Sequence, residues 1–89
     1  MKLDADTDFI LTVAQMLITE GRAKSLRDFS LRYLNKNPNI LCVIKYKNIK
    51  PSLSILLALY LRLNQEQIYP NIQQQLSKLI YQRTLIYNT

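Results

Sequence analysis

Apolar side chains recur at three- and four-residue spacing along five stretches of this chain, and no window sustains residue-by-residue alternation. The spacing predicts amphipathic helices, and the missing alternation argues against half-buried strands. Phe9, Ile10, Val13, Met16 and Leu17 mark a first helix over about 7–20. Asp6 is placed to cap it and Asp8 lies in its first turn, where the positive end of the helix dipole favours an acid. Gly21, the only glycine, follows and suits a left-handed helix end. Ser25 with Asp28 forms an S-x-x-D capping signal for a second helix, whose inward stripe is Leu26, Phe29 and Tyr33 or Leu34. Arg27, Leu31 and Arg32 fall on its other faces.

The run Asn35-Lys36-Asn37 is turn material, and Asn37-Pro38 should open a third helix reaching about Lys47. Leu41 and Ile44 are its core pair. Asn48 and Pro51 end it, because a residue before proline is pushed out of the helical region. Ser52 caps a fourth helix with Leu53, Leu56, Leu57, Tyr60 and Leu61 in register. Leu59 and Leu63 widen that stripe, so this helix is expected to be the most buried. Residues 64–67 read as a break, and a fifth helix runs from near Pro70 to about Tyr87. The expected fold is all-α, a compact five-helix single domain over residues 1–89.

Charge changes this picture by its distribution. The formal net charge of +6 divides into −3 over residues 1–20, +7 over residues 21–50 and +2 over residues 51–89. A basic segment beside an acidic one points to a polyanion-binding surface, with an ordinary solvated face as the plainer alternative. There is one cysteine, Cys42, and no histidine, so an internal disulfide is impossible and the usual zinc ligands and general base are missing. Asp4, Asp6 and Asp8 lack the glycine and distant glutamate of a calcium loop. No glycine-rich phosphate loop or paired carboxylate suggests an enzyme. No metal, cofactor or small-molecule substrate is therefore expected. The start, Met1 to Phe9, carries acids where a signal peptide needs a basic and then an apolar run. The run Leu53 to Leu63 is too short to span a bilayer. A cytoplasmic protein without membrane contact is expected.

Residues 25–64 resemble the phage-repressor type of helix-turn-helix, the lambda repressor/Cro or Xre-like family. The matching parts are SLRDFSLRYL, the turn NKN, PNILCVIKYK, the loop NIKPS and the apolar LSILLALYLRL. Lys50-Pro51-Ser52 before the leucine-rich helix is the strongest marker. Several positions depart from the family pattern. Ser30 stands where a small alanine is usual, Leu26 stands where a phosphate-contacting glutamine is frequent, and Lys45 and Lys47 lie near where a helix-ending glutamate and a loop glycine are common. The last exchange adds positive charge and removes a structural ion pair.

The resemblance implies a sequence-specific DNA-binding transcriptional regulator, most simply a repressor from a phage, plasmid or other mobile element. Helix 38–47 would enter the major groove of double-stranded DNA. Asn39 would pair with adenine, and Ile40 and Val43 would meet thymine methyl groups. Arg27, Arg32, Lys36, Asn37, Lys45, Lys47 and Lys50 would contact phosphates and fix register without choosing sequence. Capping competes as the role of Asn37 and Asn39, and core or protein contact as the role of Ile40 and Val43. Cys42 is open between an outward and a partly buried position. Ile72, Leu76, Leu79, Ile80 and Ile86 on the fifth helix are expected to build a homodimer, against the alternative that they close the monomer core. The competing function is a helical protein-interaction module, antitoxin- or inhibitor-like, without specific DNA binding.

Overall fold

The computed structural model describes the backbone of residues 3–88 and the side chains of residues 3–85. Every regular element among these residues is an α-helix: α1 (Ala5–Thr19), α2 (Leu26–Arg32), α3 (Ile40–Lys47), α4 (Leu53–Glu66) and α5 (Pro70–Asn88). The chain is all-α with five helices, as the apolar spacing predicts. It divides between Pro51 and Ser52 into two compact units. The expected helix-turn-helix core, residues 25–64, runs across that division.

In the first unit, α1 begins two residues earlier than expected. Asp4, not Asp6, is the cap: its carboxylate accepts the Asp6 N–H at 3.0 Å. Ser25 caps α2 as expected, accepting the Asp28 N–H at 3.1 Å. Asp28 accepts not from Ser25 but from the N–H of Lys24, at 2.9 Å. Phe29 on α2 and Tyr33, which caps its C-terminal end, stack with ring centroids 5.7 Å apart. α1 packs on α2 and α2 on α3. Ile10, Val13, Leu17, Phe29, Leu34, Leu41 and Ile44 are among the buried apolar side chains. Ser30 is also fully buried, and its hydroxyl donates to the Leu26 carbonyl at 2.9 Å, so burial leaves no polar atom unsatisfied there.

α1, α3 and α4 end alike. A residue in the left-handed region, Gly21, Asn48 or Gln67, follows the helix. The next N–H then reaches back five residues: Arg22 to the Leu17 carbonyl (2.9 Å), Ile49 to Ile44 (3.2 Å) and Ile68 to Leu63 (3.2 Å). α2 ends differently. Its left-handed residue is Asn35, and the Lys36 N–H reaches back six residues to the Ser30 carbonyl at 3.1 Å. The wider closure lengthens the connection. Residues 33–39, seven in all, separate α2 from α3, where a three-residue turn was expected.

The second unit is the pair α4 and α5, packed on each other. Ser52 caps α4 by accepting the Ile55 N–H at 3.4 Å. Ile55, Leu56, Leu59 and Leu63 on α4 and Leu76 on α5 are buried. The Gln73 side-chain amide donates to the carbonyls of Ile68 (2.8 Å) and Leu63 (3.3 Å), which satisfies the C-terminal end of α4 from the first turns of α5. Among the described residues no helix is long and apolar enough to cross a membrane.

Candidate nucleic-acid interface

The surface of α3 is built from its N-terminal turn. Asn37 accepts the Asn39 N–H on its side-chain oxygen at 2.8 Å, and its own carbonyl accepts the Ile40 N–H at 3.0 Å. These bonds make residues 37–39 a turn ahead of the helix, so α3 begins at Ile40 and not at Pro38. Asn37 thus does what a capping residue does, two residues ahead of the formal cap. Asn39 occupies the formal cap position, but its side chain makes no cap bond. Its oxygen instead accepts from Arg27 Nη1 on α2, at 2.8 Å.

Leu41 and Ile44 are each 2% exposed, so they face inward as expected. Successive residues turn by about 100° on a helix, which puts Asn39, Cys42, Val43 and Tyr46 on the outward arc. Cys42 is exposed, Val43 is 40% exposed and Tyr46 is 89% exposed. Ile40 is half-buried on the flank. Tyr46 was missed in the sequence, although the inward pair Leu41 and Ile44 already implied it: five residues beyond Leu41 and two beyond Ile44 lies the opposite face.

The cations divide into engaged and free. Arg32 Nε donates to Asp28 at 2.9 Å, and Lys50 Nζ lies 3.2 Å from Asp4. Both were expected at phosphates; here each sits on a carboxylate of its own chain. Thr7 Oγ1 also donates to the Ile49 carbonyl at 3.3 Å, so the start of α1 and the segment after α3 are tied twice. Lys45 and Lys47 are exposed, and neither they nor the half-buried Lys36 side chain has a hydrogen-bonding or ion-pair partner among the described residues. Lys45 and Lys47, on either side of Tyr46, and Arg27, whose bonded partner Asn39 is neutral, are thus the positive charges at the outward arc without an acid partner among the described residues.

Two carboxyls feel these contacts. At Asp4, burial pushes the pKa up, but the bonds from Lys50 and the Asp6 N–H outweigh it and hold the group below its ordinary value. At Asp28 the bond from the Lys24 N–H lowers the pKa, helped by the charge of Arg32.

The expected dimer residues separate. Leu76 is fully buried inside the monomer and offers nothing to a partner, because its position on α5 is the one most enclosed. Ile72, Leu79 and Ile80 are half-buried, and the Ile86 side chain lies outside the described residues. Leu57, Leu61, Tyr81 and Leu85 are the exposed large apolar residues of this unit. The unit also has an open groove lined by Tyr60, Pro70, Gln73, Gln74, Ser77 and Lys78. Among the described residues no cluster of three metal-binding side chains occurs.

Set against known proteins, residues 10–85 match a family model described as a family of unknown function, DUF6626. No curated protein and no solved structure matches the chain.

Proposed function

The chain belongs to DUF6626, a family of unknown function, and we propose from its own residues that it is a DNA-binding regulator that lays α3 in the major groove. The observation that carries this reading is the pair Lys45 and Lys47, exposed and unpaired beside the solvent-facing Tyr46. Cations without an internal acid partner release counterions when they meet phosphates, which gives affinity independent of sequence. Asn39 and Val43 on the same arc supply contact with base edges. Arg32 and Lys50 contribute less than their formal charge suggests, since leaving Asp28 and Asp4 costs them an existing partner. A homodimer on a pseudo-palindrome doubles the contact, with Ile72, Leu79, Ile80, Tyr81 and Leu85 of α5 as its surface. Such a regulator acts in the cytoplasm, needs no cofactor and is not an enzyme.

Selection of tight binders from random-sequence duplex DNA, at low and moderate salt, tests the reading. An enriched palindrome that persists at moderate salt is the expected result. Unselective binding that vanishes with salt would remove the sequence-reading part.

One observation favours a second reading. The outward arc of α3 is largely apolar, with Val43 and Tyr46 beside Cys42, and Leu31 of α2 is 53% exposed. Tyrosine and arginine are enriched where proteins bind proteins. A helical protein-interaction module would use this arc. Replacing Lys45 and Lys47 with glutamine, which leaves the Lys50–Asp4 pair intact, separates the two: DNA affinity falls under the first reading, and partner binding persists under the second.

A further inference from the structure

The bond between Arg27 and Asn39 settles which way the Asn39 amide faces. A guanidinium has only donors, so the partner at 2.8 Å must be the side-chain oxygen. The Asn39 backbone is fixed too: its N–H donates to Asn37 and its carbonyl accepts from Val43 at 3.1 Å. The NH2 group of the amide is left without a partner among the described residues, on an exposed side chain. Beside it stand the remaining N–H groups of Arg27, which engage nothing else among the described residues. Both side chains are exposed at the N-terminal end of α3. The two joined side chains thus both keep unengaged N–H donors.

Adenine is the wrong partner for such a set of donors. Its major-groove edge offers one acceptor, N7, next to a donor, the N6 amino group. The second lone pair of the Asn39 oxygen remains, but the guanidinium already bound to that oxygen brings further donors beside it, which an N6 amino group would meet donor to donor. Guanine offers two adjacent acceptors, N7 and O6. We propose that Arg27 and Asn39 act as one couplet that selects guanine in the major groove. The proposal rests on the DNA-binding reading above and changes the base expected for Asn39.

The test starts from the duplex site enriched by the wild-type protein and places each of the four bases at every position. The wild type is expected to favour guanine at one position, by on the order of tenfold or more. Asn39→Ala and Arg27→Ala should each flatten the preference at that same position, and the double variant should flatten it no further. Arg27→Lys keeps the charge but loses the fork, so it should bind the sites without guanine at that position as the wild type does and lose the preference. Helical circular dichroism checks that each variant is folded. A uniform loss of affinity at all sites, adenine at the position, or flattening at two different positions overturns the couplet while DNA reading stands. A wild type that enriches no sequence at any salt overturns both.

Discussion

The residues before and after the Pro51–Ser52 junction differ in the reach of their polar ties: after it these are the Gln73 amide on the end of α4 and the Arg62–Glu66 pair within α4. Before it, polar ties recur: Asp4 with Lys50, Asp28 with Arg32, Thr7 with the Ile49 carbonyl, Arg27 with Asn39. After it, the charged side chains are only Arg62, Glu66, Lys78 and Arg83, and a leucine-rich stripe closes the α4–α5 pair. The difference teaches that formal charge overstates free charge. Residues 21–50 carry eight cations, yet Arg22, Arg32 and Lys50 already lie against carboxylates. A binding surface has to be sought where the acids are not, and that is the exposed side of α3.

The largest effects come from the buried apolar side chains, and they test whether the polar ties matter less than packing. Phe29→Ala should cost about 3–5 kcal/mol and Leu59→Ala about 2–5 kcal/mol in denaturant unfolding. A loss under about 1 kcal/mol at Phe29 would mean that the polar contacts carry the first unit after all. The next test concerns free charge. Lys45→Gln with Lys47→Gln should make the slope of log affinity against log salt shallower by roughly 2, about 0.9 for each phosphate no longer neutralised. Lys78→Gln with Arg83→Gln in the second unit should leave the slope unchanged, and an equal change there would erase the contrast.

Helix ends give smaller effects of opposite sign. At Gly21, φ is +78° and nothing lies within 4 Å of an added Cβ. Gly21→Ala should therefore cost about 1 kcal/mol from backbone conformation alone. Gln67 already has a side chain at φ 55°, so Gln67→Gly should stabilise by up to about 1 kcal/mol. Thermal unfolding of both variants checks the pair. The smallest effect is on acid stability. Asp4 and Asp28 both titrate below the ordinary 3.8. Their contribution is complete above that value and is lost as pH falls through the lowered ones, because the unfolded chain binds those protons first. Asp28→Asn should flatten this acid limb, measured as denaturation midpoint against pH. An unchanged limb would assign it to other carboxyls.

The helices were legible in the sequence because a 3.6-residue apolar period is a local signal. The caps Ser25 and Ser52 and the left-handed Gly21 were legible for the same reason. The length of the α2–α3 connection was not, since it depends on which carbonyl the Lys36 N–H reaches. The choice of Asp4 over Asp6 was hidden as well, because both have the right chemistry and only the approach of Lys50, far along the chain, favours the first. At the candidate site, the inward pair Leu41 and Ile44 was readable. The engagement of Arg32 was readable in principle as a four-residue spacing from Asp28. The Arg27–Asn39 bond joins residues twelve apart across a turn of unforeseen shape, and no periodicity announces it.

α2 has a consequence for the order of folding. Ser25, Asp28, Phe29, Arg32 and Tyr33 make their capping, ionic and stacking contacts with partners no more than four residues away. Contacts that close such small loops cost little chain entropy when they form, and they can precede long-range packing. α2 is therefore expected to form before the longer-range ties of Asp4 to Lys50 and Thr7 to Ile49, which refolding kinetics of the two sets of variants would check. Substitutions at Asp28 should slow refolding, whereas substitutions at Asp4 should mainly hasten unfolding.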